Sequence, residues 1–525
     1  MSVSIVENPV ADDAEPAAAA HPRGRFLDPW AIAALTMVIS AAWAGRPSLW
    51  FDEGATITAS ASRTLPELWK LLGHIDAVHG FYYLLMHGWF AIFPPTEFWS
   101  RVPSTLAVGA AAAGVVVFAK QFSGRTTALT AGTVFAILPR VTWAGIEARS
   151  SALVVAVAAW LTVLVVAAAR RNRAGLWVSY SLLLMVAVLV NVNMVLLVLV
   201  YAAILPFTAR GPAPEGARKW PTIWLAVASV VALGAMTPFM LFAHKQVWQV
   251  GWINGLNRNL FLDVVHRQYF DHSVPFAILA GVLLLTAAGL RVAGKARAEN
   301  GRLLLISALW VVIPTATVLI YSAVSEPIYY PRYLIFTTPG AAVVLAVCIV
   351  AIARKRWQVV GLLVLLAIAA FPNYFFTQRG PYAKEGWDYS QVADVISAHA
   401  SPGDCLLVDN TVPWRPGPIR ALLATRPAAF RSLIDVERGF YGPKVGALWD
   451  GHVAVWLTTA KINKCPALWT ITNRDTSLPD HQVGQALPPG TAFGRAPVYQ
   501  FPSYLGFHIV ERWQFHYSQV VKSTR

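Results

Sequence analysis

The chain has 525 residues, of which 56% are hydrophobic and 13% charged, with a mean hydropathy of +0.52. Ordinary soluble domains carry about 25% charged residues, so this composition excludes a simple soluble protein and makes a bilayer the solvent for most of the chain. The formal net charge is +15. Basic cytoplasmic loops account for most of it, and no nucleic-acid partner is expected because no basic stretch is interleaved with aromatics.

Residues 1–28 contain Ala, Pro and Asp with little apolar content and read as a disordered cytoplasmic tail. The next apolar run is too long for a signal-peptide core and lacks a nearby small-residue cleavage site, so it reads as a retained span. Apolar runs long enough to cross about 30 Å of hydrocarbon place spans at about 29–45, 102–119, 126–144, 150–169, 176–190, 194–207, 222–243, 274–290, 302–321, 334–353 and 357–373. Two of these are short: the run 176–207 is too long for one helix, and Asn191 and Asn193 mark a tight hairpin in its middle. The piece 80–93 is only about 14 residues, carries His87 and ends at Pro94-Pro95, which suits a helix lying at the interface.

With 80–93 kept out of the count, every dense basic cluster between spans falls on one side. These clusters are Arg23 and Arg25; Lys120 and Arg125; Arg170, Arg171 and Arg173; Arg210, Arg218 and Lys219; Arg291, Lys295 and Arg297; and Arg354, Lys355 and Arg356. The positive-inside rule then predicts about 11 helices in a plasma (inner) membrane, N-terminus in the cytoplasm and C-terminus outside. A membrane domain over 29–373 contains a long first outer loop, 46–101, and residues 374–525 form an extracytoplasmic domain. In that tail, a helix at Asp388–His399 precedes strand-like runs at Cys405–Val408, Val453–Leu457, Leu468–Thr472 and Phe507–Val510. Helix alternating with buried strand predicts a small α/β domain. Cys348 reads as a core thiol. Cys405 and Cys465 are either a disulfide, if the tail is extracytoplasmic, or two buried free thiols.

Candidate chemistry gathers on the outer face. Trp50-Phe51-Asp52-Glu53 puts two carboxylates directly beyond the first span, where partial desolvation suits a general base. The same loop carries His74, Asp76, His79, Tyr82 and His87. Their spacing matches no standard metal site, so no metal or other cofactor is predicted, and a sugar-lining role is the better reading. Glu147 and Arg149 join two spans on this face. His244, Lys245 and Gln246 follow another, and Arg332 and Tyr333 precede a third. Basic residues there break the positive-inside trend, and an Arg just outside a span clamps a phosphate well.

Trp50-Phe51-Asp52-Glu53, the stretch Asp76 to Leu85, Arg101-Val102-Pro103-Ser104, Glu147-Ala148-Arg149 after Pro139, and Pro331-Arg332-Tyr333 occur in this order over roughly 30–380. Together they resemble the GT-C superfamily, more narrowly the transferases related to protein O-mannosyltransferases and the lipid A aminoarabinose transferase. Residues 380–384 resemble actinobacterial members. The resemblance implies a polyprenyl-phosphate sugar donor, inversion at the anomeric centre, and Asp52 as catalytic base. It makes mannose the expected sugar, with arabinose or aminoarabinose as alternatives, and a cell-envelope glycan, lipoglycan or protein as acceptor. Many relatives read Asp-x-His-Pro-Pro before the paired tyrosines, whereas His79 here is followed by Gly80-Phe81. A non-enzymatic lipid or polysaccharide transporter is the competing reading. Transporters place charge near the bilayer midplane, and the spans here are almost free of charge.

Overall fold

The computed structural model describes residues 23–208, 215–294, 300–409 and 420–525. Most of the expected tail, and the basic residues Arg210, Lys295 and Arg297, lie outside the described residues. Helix begins at Arg23, so the last part of the expected tail is helical. Among the described residues, seven helices are long and apolar enough to cross a membrane: Glu97–Lys120, Ser151–Arg171, Lys219–His244, Val274–Val292, Gly301–Val324, Pro331–Ile352 and Arg356–Thr377. Leu27–Ala41, Ala174–Val190 and Val192–Phe207 are shorter apolar helices. A backbone in lipid must satisfy its own hydrogen bonds, so apolar runs become helices. The run expected as one span at 126–144 is broken, into Arg125–Ile137 and Pro139–Ala144. Pro139 disfavours helical geometry at Leu138, whose ψ is 122°.

The helices pack through small residues. A methyl group added at Gly109 would collide with Met37 of the first helix, so glycine sets that close approach. At the end of the bundle away from the first outer loop, Asp28 accepts from Lys120 and Arg125, both at 2.7 Å. Gly80–Phe90 forms the expected short helix, and Trp89, Phe93 and Trp99 stack behind it. Asn191 ends one helix and accepts from the Asn193 amide at 2.9 Å, a local turn where a tight hairpin was expected.

The tail builds a six-stranded mixed sheet: β1 Cys405–Val408, β2 Ile434–Asp435, β3 Leu468–Asn473, β4 His481–Leu487, β5 His508–Gln514 and β6 Ser518–Thr524, ordered β2-β1-β3-β6-β5-β4. The first three strands are parallel and the others antiparallel. Val453–Leu457 is not a strand; its last three residues form a 3-10 turn. One face of the sheet shares a continuous apolar core with the membrane helices through Trp387, Tyr389, Val408, Trp469 and Val520.

Polar bolts reinforce that junction. Ser390 and Ser48 exchange hydrogen bonds at 3.0 Å through the amides of Leu49 and Ser390. Glu97 accepts from Ser390 at 2.6 Å and from Arg426 at 2.7 Å. The tail therefore clamps the segment 46–101.

Of the two readings for Cys405 and Cys465, the disulfide is correct, and Cys348 is a buried free thiol. The bridge spans 60 residues, so replacing both cysteines by Ser is expected to cost the tail about 2–5 kcal/mol. Thermal unfolding followed by tryptophan fluorescence measures the loss.

Candidate active site

The site starts from the end of the first helix. Trp50 is the N-cap of helix Phe51–Ser60 and is buried, so Asp52 stands in the first turn of that helix at the rim of the bundle. A carboxylate in a first turn is favoured by the free N–H groups there. Asp52 Oδ2 lies 3.2 Å from Arg332 Nη2, and both side chains are about one-fifth exposed, 19% and 18%. The Arg332 guanidinium also sits over Trp50 and Tyr330, at 5.5 and 5.2 Å from the ring centroids. Tyr330 contacts Tyr333 at 5.5 Å and Trp252 at 5.1 Å. An aromatic wall therefore flanks the acid–arginine pair.

Arg149 is the second cation. It donates to His79 Nε2 at 2.8 Å, to the Tyr83 hydroxyl at 3.3 Å and, at 3.5 Å, to the Asp52 carbonyl. Tyr83 donates to Asp76 Oδ2 at 2.8 Å. Asp76 has left-handed backbone geometry, φ 60°, which Asp tolerates better than most residues. The Gln249 amide donates to its other oxygen at 2.8 Å. Gln246 holds the same turn, accepting from Ala77 N at 2.9 Å and donating to the Leu72 carbonyl at 3.0 Å. Burial, then the charges of Arg149 and Arg332, pushes His79 well below its ordinary value. A guanidinium can only donate, so His79 is neutral, with its lone pair on Nε2 and its proton on Nδ1.

Glu53, the second carboxylate of the pair, has different partners from Asp52. It is fully buried, and both its oxygens accept from Arg101, at 2.8 and 2.7 Å. Arg101 also satisfies the carbonyls of Ala44, Pro47 and Ser48, and Glu53 Oε1 accepts from Ala148 N at 3.0 Å. One ion pair thus ties the end of the first helix, the Asp52 helix and the Glu147–Arg149 turn together.

Of the other expected residues, Glu147 is buried and accepts from Ser151 at 3.3 Å. Tyr82 is buried in the apolar centre of the loop with Leu68 and Met86; its neighbour Tyr83 takes the polar position. His244 and Lys245 do not join the cluster. Both are exposed at the end of helix Glu215–His244, and only Gln246 of that trio reaches it. Among the described residues, no three His, Cys, Asp or Glu side chains gather as a metal site.

Lys384 is a buried charge near these groups that sequence reasoning did not single out. It is buried, its Nζ has no hydrogen-bond partner among the described residues, and it sits 4.4 Å over the Trp143 ring. Burial lowers its pKa to about 8 against the pull of Glu53 and Glu147. Burial raises Glu147 to about 7 against Lys384 and Arg332. A carboxyl raised by folding contributes stability below its unfolded pKa and loses it as pH rises through the folded value, about 7. Removing a cation raises it further. Lys384→Met is therefore expected to move this loss to higher pH, read from unfolding temperatures between pH 5 and 9.

The sequence matches no protein-family model and no curated protein sequence. Solved structures do match. ArnT from Cupriavidus metallidurans in the apo state superposes with a TM-score of 0.54 at 14% identity, over 95% of this chain and 98% of that one. The chain has the ArnT fold. ArnT bound to undecaprenyl phosphate gives 0.52 at 12% identity over 96% and 98%. The Archaeoglobus fulgidus oligosaccharyltransferase is a weaker match, 0.42 at 11% identity over 78% and 64%. The expected helical bundle with a sheet-bearing tail is thus a fold shared with ArnT. ArnT's coverage runs through both the helices and the tail, so the likeness is to the whole architecture.

Proposed function

We propose that this protein is an inverting glycosyltransferase that moves a sugar, mannose first among the candidates, from a polyprenyl phosphate to a cell-envelope glycan, lipoglycan or protein. In this reading about 11 helices cross the plasma membrane, residues 29–373 form the membrane domain, and the domain at 374–525 stands outside. The observation that carries it is Asp52 paired with Arg332 at 3.2 Å, with Arg149 beside them, at one end of an apolar helix bundle. A base and two phosphate-binding cations are the parts that transfer from a lipid phosphate requires. ArnT is seen with undecaprenyl phosphate, and its fold is the one described here.

The donor phosphate takes Arg332 in bidentate contact, which frees the Asp52 carboxylate. Asp52 accepts the proton of the acceptor hydroxyl as that oxygen bonds to the anomeric carbon. The bond from that carbon to the phosphate oxygen breaks, and its electron pair leaves with the polyprenyl phosphate, whose charge Arg332 and Arg149 hold. His79 Nδ1–H is a donor for the sugar or phosphate. Trp252, Tyr330 and Tyr333 offer apolar faces to the sugar or to the first isoprene units.

The test is transfer by the purified full chain from radiolabelled polyprenyl-phosphate mannose, arabinofuranose and aminoarabinose to a panel of glycan, lipoglycan and peptide acceptors. Inverted product from one donor alone names the sugar. Turnover of the donor by none of them, in protein that elutes and melts as folded, removes the enzyme reading and favours transport.

A further inference from the structure

At the end of the bundle opposite the Asp52 cluster, three helices enclose an apolar cavity of about 260 Å³. Leu284, Ala287, Ala288 and Arg291 line it from helix Val274–Val292, and Val344, Val347, Cys348 and Ala351 from the helix ending at Ile352. Each set has the i, i+3, i+4, i+7 spacing of one helix face. Leu304 closes the third side, and Asn300 stands at the rim, donating to Thr127 at 3.3 Å.

The walls are apolar, and the mouth is cationic. Arg291 is exposed and has no ion-pair or hydrogen-bond partner among the described residues. Gly301 makes room for it: a Cβ there would lie 3.1 Å from Arg291 Nη2. Asn300 is the N-cap of helix Gly301–Val324 and makes no side-chain cap; its amide is turned to Thr127 instead. A guanidinium at the last turn of a span reaches the headgroup layer. Basic pockets between spans at that depth take anionic lipid headgroups.

We infer that this cavity is a binding site for one anionic phospholipid of the leaflet opposite the catalytic loops. Its phosphate sits on Arg291 at the mouth, and part of one acyl chain fills the cavity. Small side chains at Ala287, Ala288, Val344 and Ala351 give the chain its space. The volume lies near the lower end of small-ligand pockets, about 300–1,000 Å³, which fits a chain segment and not a whole lipid. The inference is independent of the reaction proposed above.

The test uses the full chain, solubilised from vesicles of equal phosphatidylglycerol and phosphatidylcholine and weighed intact by native mass spectrometry. Wild type is expected to retain phosphatidylglycerol at least threefold over phosphatidylcholine. Arg291→Gln, an exposed change, should abolish the preference, and Ala288→Trp, which fills the groove, should reduce retention of both. A photoreactive phosphatidylglycerol chain should label residues within 284–304 or 344–351. Equal retention of the two lipids by wild type, an unchanged preference in Arg291→Gln, or labelling confined to other helices would overturn the assignment.

Discussion

Asp52→Asn is expected to lower the turnover number for sugar transfer by about 10²–10⁴-fold, the usual contribution of a general base, with the melting temperature unchanged. The separation of the two readouts follows from the geometry. Asp52 is at the rim, 19% exposed, and pairs with Arg332 at 3.2 Å. A partly exposed pair of that kind contributes at most about 1 kcal/mol. Asn has the same shape, so the first turn of the helix is kept, but the amide cannot accept a proton from the acceptor hydroxyl. Arg332 remains held over Trp50 and Tyr330, so donor binding survives and the loss falls on kcat rather than on KM. Single-turnover transfer at saturating donor measures it. Undiminished turnover would take Asp52 out of the chemistry and leave it as the resting counter-ion of Arg332.

The parts of this molecule that could be read from the sequence are those whose physics is local. A helix in lipid needs a long apolar run and little else, so helix places were legible, and only Pro139 split one unexpectedly. Asp52, Arg149 and Arg332 were legible because charge beside a span is costly and therefore conspicuous. What was not legible depends on distant packing. Tyr82 and Tyr83 are neighbours on one helix, pointing about 100° apart, and nothing local says which turns toward Asp76 and Arg149. Lys384 follows the last span like any juxtamembrane lysine, yet the tail folds it over Trp143, 241 positions earlier in the chain. In the sheet, β4 alternates half-exposed with exposed residues, so it lacks the apolar run that betrays a buried strand. β6 has only Val520 and Val521 among Ser, Gln, Lys and Thr, too short an apolar run to announce a buried strand.

Breaking the Glu53–Arg101 pair is expected to do the opposite of Asp52→Asn: activity and fold should fall together. Both side chains are fully buried, and the guanidinium carries five hydrogen bonds, two to Glu53 and one each to the carbonyls of Ala44, Pro47 and Ser48. Arg101→Ala leaves a buried carboxylate without its cation and three carbonyls without a donor. Removing one partner of a buried pair costs about 3–5 kcal/mol, a large share of the roughly 5–15 kcal/mol that holds most domains folded. Glu53→Gln keeps an acceptor for Ala148 N and should cost less, while still loosening the turn that delivers Arg149. The double variant Glu53→Gln/Arg101→Ala should lose less than the two single losses added together, because no charge is left buried alone. Denaturation of the three variants in detergent, with transfer measured on the same samples, distinguishes a positioning pair from a catalytic one. If Glu53→Gln abolished transfer while unfolding at the wild-type temperature, Glu53 would belong to the chemistry after all. The expected result is that transfer tracks the fraction of folded protein, because the pair's work is to keep Asp52 and Arg149 in register on two different helix ends.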